Sequence, residues 1–259
     1  MCECGIKLQN CVAHTYDGAS VMKGSVNGVQ SLFRKEVPQA IYTHCANHRL
    51  NLVIVDVCKN VQTAENFFSF LQKLYVFMSE SAIHSFFVSV QREMGQKTVE
   101  LKALSETRWI CQSAVCDAVK RALSAIIITL HRLVEGRGTR AQEAQGLLNS
   151  IDMEILVYLC IFSVILKEIH IVSRVFQSKE CDVGQAHLLV ERTTDHLKTI
   201  RNSREHFGKI WQEACALKEE NGIEGITTIR KRRLPEHLAK FVVMEHTNAE
   251  VLTSEDDFY

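Results

Sequence analysis

The 259-residue chain is 46% hydrophobic and holds only 2 prolines, which argues against a disordered chain and suffices for one large domain or two smaller ones with real cores. Lys and Arg together number 30, as do Asp and Glu, so the formal net charge is zero; no global field draws the protein to polyanions or membranes, and any nucleic-acid contact is expected at local patches. The 10 cysteines are scattered, most of them in apolar helical stretches with no signal peptide before them, a pattern that suits a reduced intracellular compartment better than a disulfide framework.

In chain order, the run IKLQNCVAH alternates weakly and is cut off by Tyr16-Asp17-Gly18. It predicts a short strand over about residues 8–14 that delivers Asp17 to its C-terminal end. From about 19 to 35, Val21, Met22, Val26, Val29, Leu32 and Phe33 fall on one helical face. Gly24 and Gly28 weaken that helix and suit a close approach of backbones. Pro38 ends it, and AIYTHCA predicts a second strand over 40–46. Asn47 reads as the cap of a following helix whose apolar stripe is Leu50, Val53, Ile54, Val57 and Val61. Strand, helix, strand, helix is α/β wiring: the two strands are expected side by side and parallel, with the site in loops at their ends.

Beyond about residue 62 the period turns helical. LKALSETRWICQ breaks it with room for a short strand, residues 112–135 form another amphipathic helix, GRGTR is a loop over 136–140, and helix follows helix from 141 to about 220. The most lipid-like run, ILVYLCIFSVIL, has 12 residues between Glu154 and Lys167. It is too short to span a bilayer and predicts a buried helix in a soluble protein. The acidic tail SEDDFY suggests a frayed end.

Asp17 beside Gly18 suits a metal-binding carboxylate, because a strand end fixes its direction and glycine admits a backbone or phosphate. The same dipeptide is also a common turn. Cys11 with His14 and Cys45 with His48 each have Cys-x2-His spacing, so the four are either a zinc site or buried thiols and hydrogen-bonded imidazoles. Arg108 and Trp109 sit together in the break at 106–109, as a stacking platform for an unpaired base or as a core indole beside a surface cation. The basic run Arg230-Lys231-Arg232-Arg233 is a nuclear localisation element, a phosphate contact or a solvated cluster.

Taken in order, NCVAHTYDGASVMKGSVNGVQ, AIYTHCANHRLNLVIVD and LSETRW resemble the central part of hAT-superfamily transposases, and in particular the host-domesticated or decayed copies that accompany MYM-type zinc fingers. The match covers about residues 8–112. It implies an α/β start, a partial RNase H-like core over 1–112, followed over 113–259 by a predominantly α-helical insertion domain, truncated, so that the whole is helix-rich. In that family two aspartates and a glutamate hold two magnesium ions that activate water or a 3′-hydroxyl against a DNA phosphate. By the resemblance Asp17 matches the second aspartate, Cys45 and His48 match the family's Cys-x2-His, and Trp109 matches the tryptophan that stacks near the flipped base, with Arg108 beside it. The strand carrying the first aspartate and the segment carrying the glutamate do not occur in this sequence. One aspartate cannot hold two magnesium ions, so the chain is expected to be inert as a nuclease and to bind no cofactor of its own. The expectation is a nuclear protein that binds DNA weakly, or binds protein partners or itself, without a membrane. The sheet is expected to have an unpaired edge, which predicts marginal stability or aggregation. A helical scaffold or adaptor and a zinc-binding module are the alternatives.

Overall fold

The computed structural model describes residues 5, 7–104, 112–178, 182–223 and 254–255. Among them the chain is helix-rich, with ten α-helices and one small parallel sheet, and it divides into two compact units. Unit 1 draws on residues up to Glu65 and on Glu168–Thr193; unit 2 draws on Asn66–Leu104, Gln112–Lys167 and the residues from Thr194 onward. The sequence suggests a single division at 112, whereas residues 66–104 group with the later helices and 168–193 group with the α/β start.

In unit 1, strand β1 (Ala13–Tyr16) pairs in parallel with β2 (Ile41–His44), in the register Ala13 to Ile41 and Tyr16 to His44. β-branched and aromatic residues (Thr15, Tyr16, Ile41, Tyr42, Thr43) supply the local preference. The first strand starts later than the expected 8–14, because Leu8–Asn10 curl into a 3-10 turn in which the Cys11 amide donates to the Leu8 carbonyl at 3.0 Å. The helix expected over 19–35 is two helices, α1 (Ser20–Lys23) and α2 (Val29–Glu36). The break lies at the glycines: the Gly28 amide donates to the Gly24 carbonyl at 3.1 Å, and a Cβ on Gly28 would stand 2.6 Å from the Gly24 Cα. No side chain fits there.

Helix α3 (Ala46–Asn60) follows β2, with Cys45 rather than Asn47 at its N-cap and no side chain capping it. Asn47 lies inside the first turn, and its Oδ1 accepts a hydrogen bond from Ser173 Oγ at 2.6 Å, across 126 residues of sequence. The buried face of α3 is Asn51, Ile54 and Cys58, four, seven and eleven residues after Asn47, and not the expected valine stripe. Val53 (60% exposed), Val57 (54%) and Val61 (45%) face outward.

The sheet alternates cleanly. His14, Tyr16, Tyr42 and His44 are buried or half-buried on one face, while Ala13, Thr15, Ile41 and Thr43 are exposed on the other. Parallel strands are ordinarily covered on both faces; here one face is bare, and the Thr15 and Thr43 hydroxyls meet on it at 2.6 Å.

Unit 2 is a helical assembly of α4 (Gln62–Met78, entering from unit 1), α5 (Ser81–Glu93), α6 (Gln112–Val134), α7 (Thr139–Asn149), α8 (Met153–Phe176, of unit 2 up to Lys167), α9 (Val183–Asn202, of unit 2 from Thr194) and α10 (Arg204–Glu220). The apolar positions recur at three and four residues, as in Phe67, Phe70, Leu71, Leu74 and Met78, so the helices other than α9 each offer a stripe of buried side chains. Phe67 stacks on Phe162 at 5.2 Å and meets Phe68 edge-on at 5.1 Å. The segment after α5 is held by a fully buried amide: Gln91 Oε1 accepts from the Val99 amide at 2.7 Å. Asp152, Asp182 and Ser203 accept amide hydrogens at the starts of α8, α9 and α10, satisfying donors that a helix leaves orphaned.

The charges of Glu154 and Lys167, expected to bound the apolar run at 155–166, lie inside α8. This helix of 24 residues is long and apolar enough by composition to cross a membrane, with a mean hydropathy of 2.2 over its best window. Charge alone does not end a helix, because Glu and Lys are good helix formers. In the upper part of α8, Leu156, Val157, Leu159, Cys160 and Leu166 are buried within unit 2.

The two units differ in core. Among the described residues, Val37, Ala40, Ile54, Cys58, Ala64 and Val172 are the only buried apolar side chains of unit 1, and all the others belong to unit 2. Conversely, among the described residues every exposed large apolar side chain except Val76 belongs to unit 1.

Candidate functional site

The parallel pairing brings the ends of β1 and β2 together. The Cys45 amide donates to the Tyr16 carbonyl at 2.9 Å, so the turn after β1 and the start of α3 are neighbours. Asp17 opens that turn, and its Oδ1 accepts the Ala19 amide at 3.2 Å. The aspartate therefore does the work of a turn residue, which fixes the path of Gly18.

Gly18 packs against two imidazoles. A Cβ built on it would lie 2.8 Å from His44 Nε2 and 3.3 Å from His48 Nε2, so both nitrogens face the glycine. The two rings are tilted with centroids 5.3 Å apart. His44 Nε2 is shielded from solvent and has no hydrogen-bond partner. Lost hydration lowers the His44 pKa below its ordinary 6.5; the charges of His48, Arg49 and Lys23 push the same way, and Asp17 opposes them. A folded-state pKa below the unfolded value means that the unfolded chain takes up the proton more readily. Stability from this group is therefore full above pH 6.5 and is lost as the pH falls through the imidazole range. In an NMR titration His44 is expected to protonate below pH 6.5; a midpoint above that value would show that Asp17 outweighs the cations.

The four residues of the expected Cys-x2-His pairs are not gathered into one centre. His14 is buried against Phe33 (4.6 Å), Tyr16 (5.2 Å) and Tyr42 (5.6 Å), with neither ring nitrogen bonded. Cys11 Sγ donates to the Ala13 carbonyl at 3.3 Å. His48 faces Gly18 and His44, while Cys45 sits at the helix start. The pairs are separated because His14 lies on the covered sheet face, whereas His48 is in the first turn of a helix. Among the described residues no group of three or more His, Cys, Asp or Glu side chains is placed to hold a metal ion. The donor set at Asp17, one carboxylate among basic groups, does not fit two magnesium ions, which need several converging oxygens. Trp109, Arg108 and the run at 230–233 lie outside the described residues.

His44, Lys23 and Arg49 were not singled out by the motifs, whereas Gly18 was read there beside Asp17 as a point of close approach. One local signal was present: His-Cys-Ala-Asn-His places two imidazoles four apart across a strand-to-helix junction. Elsewhere, Cys58, Cys116 and Cys160 are buried and in no disulfide, and burial pushes the thiols of Cys58 and Cys160 up to about 11 and about 12. These are inert packing residues rather than nucleophiles. A cleft of about 400 Å³ in unit 2 is lined by Val164, Ile200, His206, Lys209, Ile210 and Glu213. Its charged rim is already paired, Lys209 with Glu205 at 2.7 Å and Glu213 with Lys120. No protein-family model matches the chain, and no solved structure matches it.

Proposed function

We propose that the chain is a catalytically inactive, hAT transposase-derived module that serves in the nucleus as a weak nucleic-acid or protein interaction element. The observation that carries this reading is the placement of the motif residues. Asp17 directly follows β1, while Cys45 and His48 directly follow β2, and the two strands are parallel neighbours. That arrangement supports the RNase H-like reading of residues 1–112, in which site groups gather at the C-terminal ends of parallel strands. The donor set around Asp17 supports the loss of catalysis.

The test is magnesium-dependent cleavage and strand transfer on DNA, with Asp17→Ala as control, beside titration with single-stranded DNA. No cleavage is expected from either protein, and binding should be weak and fall with salt. Trp109→Ala should weaken binding with the melting temperature preserved, by the equivalent of about 1–3 kcal/mol for one stacked base. Cleavage by the parent that Asp17→Ala lacks would overturn the inactive reading, and unchanged DNA binding would remove Trp109 from the interface. A scaffold role is favoured by the separate, well-filled core of unit 2; complete absence of DNA binding at low salt would select it.

A further inference from the structure

The outward face of α3 carries a second apolar stripe. Ala46, Leu50, Val53 and Val57 are spaced four, three and four residues apart, the spacing at which side chains line one side of a helix. Leu50 is half-buried and the other three are exposed, because Asn51, Ile54 and Cys58 already supply the face that α3 buries. A helix with one buried face ordinarily turns charged and polar groups outward; this one turns out Val53 and Val57.

The charges beside the stripe are arranged for a partner. Arg49 and Asp56 each stand one residue before an apolar position, Leu50 and Val57, and so lie on the same flank of it. Both are exposed, and among the described residues neither is in an ion pair. Seven residues apart, they are beyond the three- or four-residue reach of a pair within one helix. Their signs also oppose the helix dipole. The first turn of α3 holds no acid and ends instead on Arg49, while the acid lies nearer the C-terminal end. The stability of the helix by itself therefore does not account for them.

Turned over about a two-fold axis, the same face complements itself. Reversing one helix brings like flanks together, so Arg49 of each copy meets Asp56 of the other. The same reversal sets Leu50 against Val53 of the second copy and Val57 against the small Ala46. In a parallel pair the charged flank would instead face the flank occupied by Ile54 and Val61, and both charges would go unmatched.

We propose that the chain forms a two-fold symmetric dimer by antiparallel pairing of α3, in the register that sets Leu50 against Val53 and Arg49 against Asp56 of the second copy. Burial of the stripe supplies the attraction, and the ion pairs fix the orientation. A single helix pair lies at the small end of specific interfaces, so the dimer forms only as the concentration rises. The contact uses no residue of the Asp17 turn and does not depend on the nucleic-acid reading.

The experiment is sedimentation of the full chain over a concentration series, for the parent, Arg49→Glu, Asp56→Arg, the protein carrying both substitutions, and an equimolar mixture of the two single variants. Both positions are exposed and both substitutions suit the helix dipole, so every variant should melt as the parent does. The parent is expected to dimerise. Each single variant should do so about tenfold more weakly, because both ion pairs of the dimer are replaced by like charges. The double substitution should restore the parent's dimer, and so should the mixture, in which each variant repels its own kind and complements the other. A parent that stays monomeric would leave this face to a different partner and overturn the proposal. Association indifferent to the single substitutions, or weakened by them and repaired by neither the double substitution nor the mixture, overturns it as well.

Discussion

Phe67→Ala is expected to cost unit 2 about 3–5 kcal/mol in unfolding free energy, the range for removing a buried aromatic ring. Phe67 has no exposed surface, and its ring is shared by helices α4 and α8 through Phe162 at 5.2 Å and Tyr158 at 6.3 Å. Truncation removes ring contacts as well as buried area, because each aromatic pair adds about 0.5–1.5 kcal/mol to simple burial. The residues around the void are aromatic and held by long helices, so they collapse into it only in part. Urea melting followed by helical circular dichroism measures the loss. A change within about 0.5 kcal/mol, as at ordinary surface positions, would show that this ring is not a core anchor.

In unit 1 the expected effect has the opposite sign. Val53 and Val57 are 60% and 54% exposed, four residues apart on one face of α3, and Ile41 is 63% exposed on the bare sheet face. Burying a valine or isoleucine is worth about 1.5–3 kcal/mol, so these side chains favour association of the chain with itself. The two-stranded sheet adds unpaired backbone groups along its edges. The parent is expected to self-associate with rising concentration. Val53→Gln combined with Val57→Lys should weaken that association by at least about tenfold, since the two part-exposed valines together forfeit more than the 1.4 kcal/mol that a tenfold change represents. Analytical ultracentrifugation of both proteins over a concentration series decides it. A parent that remains monomeric throughout would show that the exposed valines drive nothing.

The legibility of this fold varied with how local its causes are. The β1–β2 pair and its parallel sense were readable because β-branched and aromatic runs are punctuated by Asp17-Gly18 and Pro38, with a chain of helical length between them. The split of the predicted helix was signalled by Gly24 and Gly28, yet only the backbone approach shows that they form a break rather than a weak stretch. The buried face of α3 was misread for a physical reason. Its sequence carries two overlapping stripes that share Ile54, and the more apolar one is exposed while the one containing Asn51 is buried. The polar stripe is chosen by a distant partner, Ser173, which bonds Asn47 in the same stripe. The candidate site divides in the same way. Asp17 and His48 stand in recognisable local patterns, whereas Lys23 and Arg49 bear on the charge of His44 from different helices, so no spacing in the sequence relates them.

The bond between Asn47 and Ser173 also bears on how the chain comes into being. A ribosome releases β1, β2 and α3 long before it makes the part of α8 that supplies Ser173 and the buried Val172. Translation at about 5–20 residues per second puts those 126 residues on the order of 10 s behind their partner. Throughout that interval the nascent α/β segment lacks this support, and its valines stand open to holding chaperones. Slowing elongation between codons 60 and 170 should therefore lower the soluble yield.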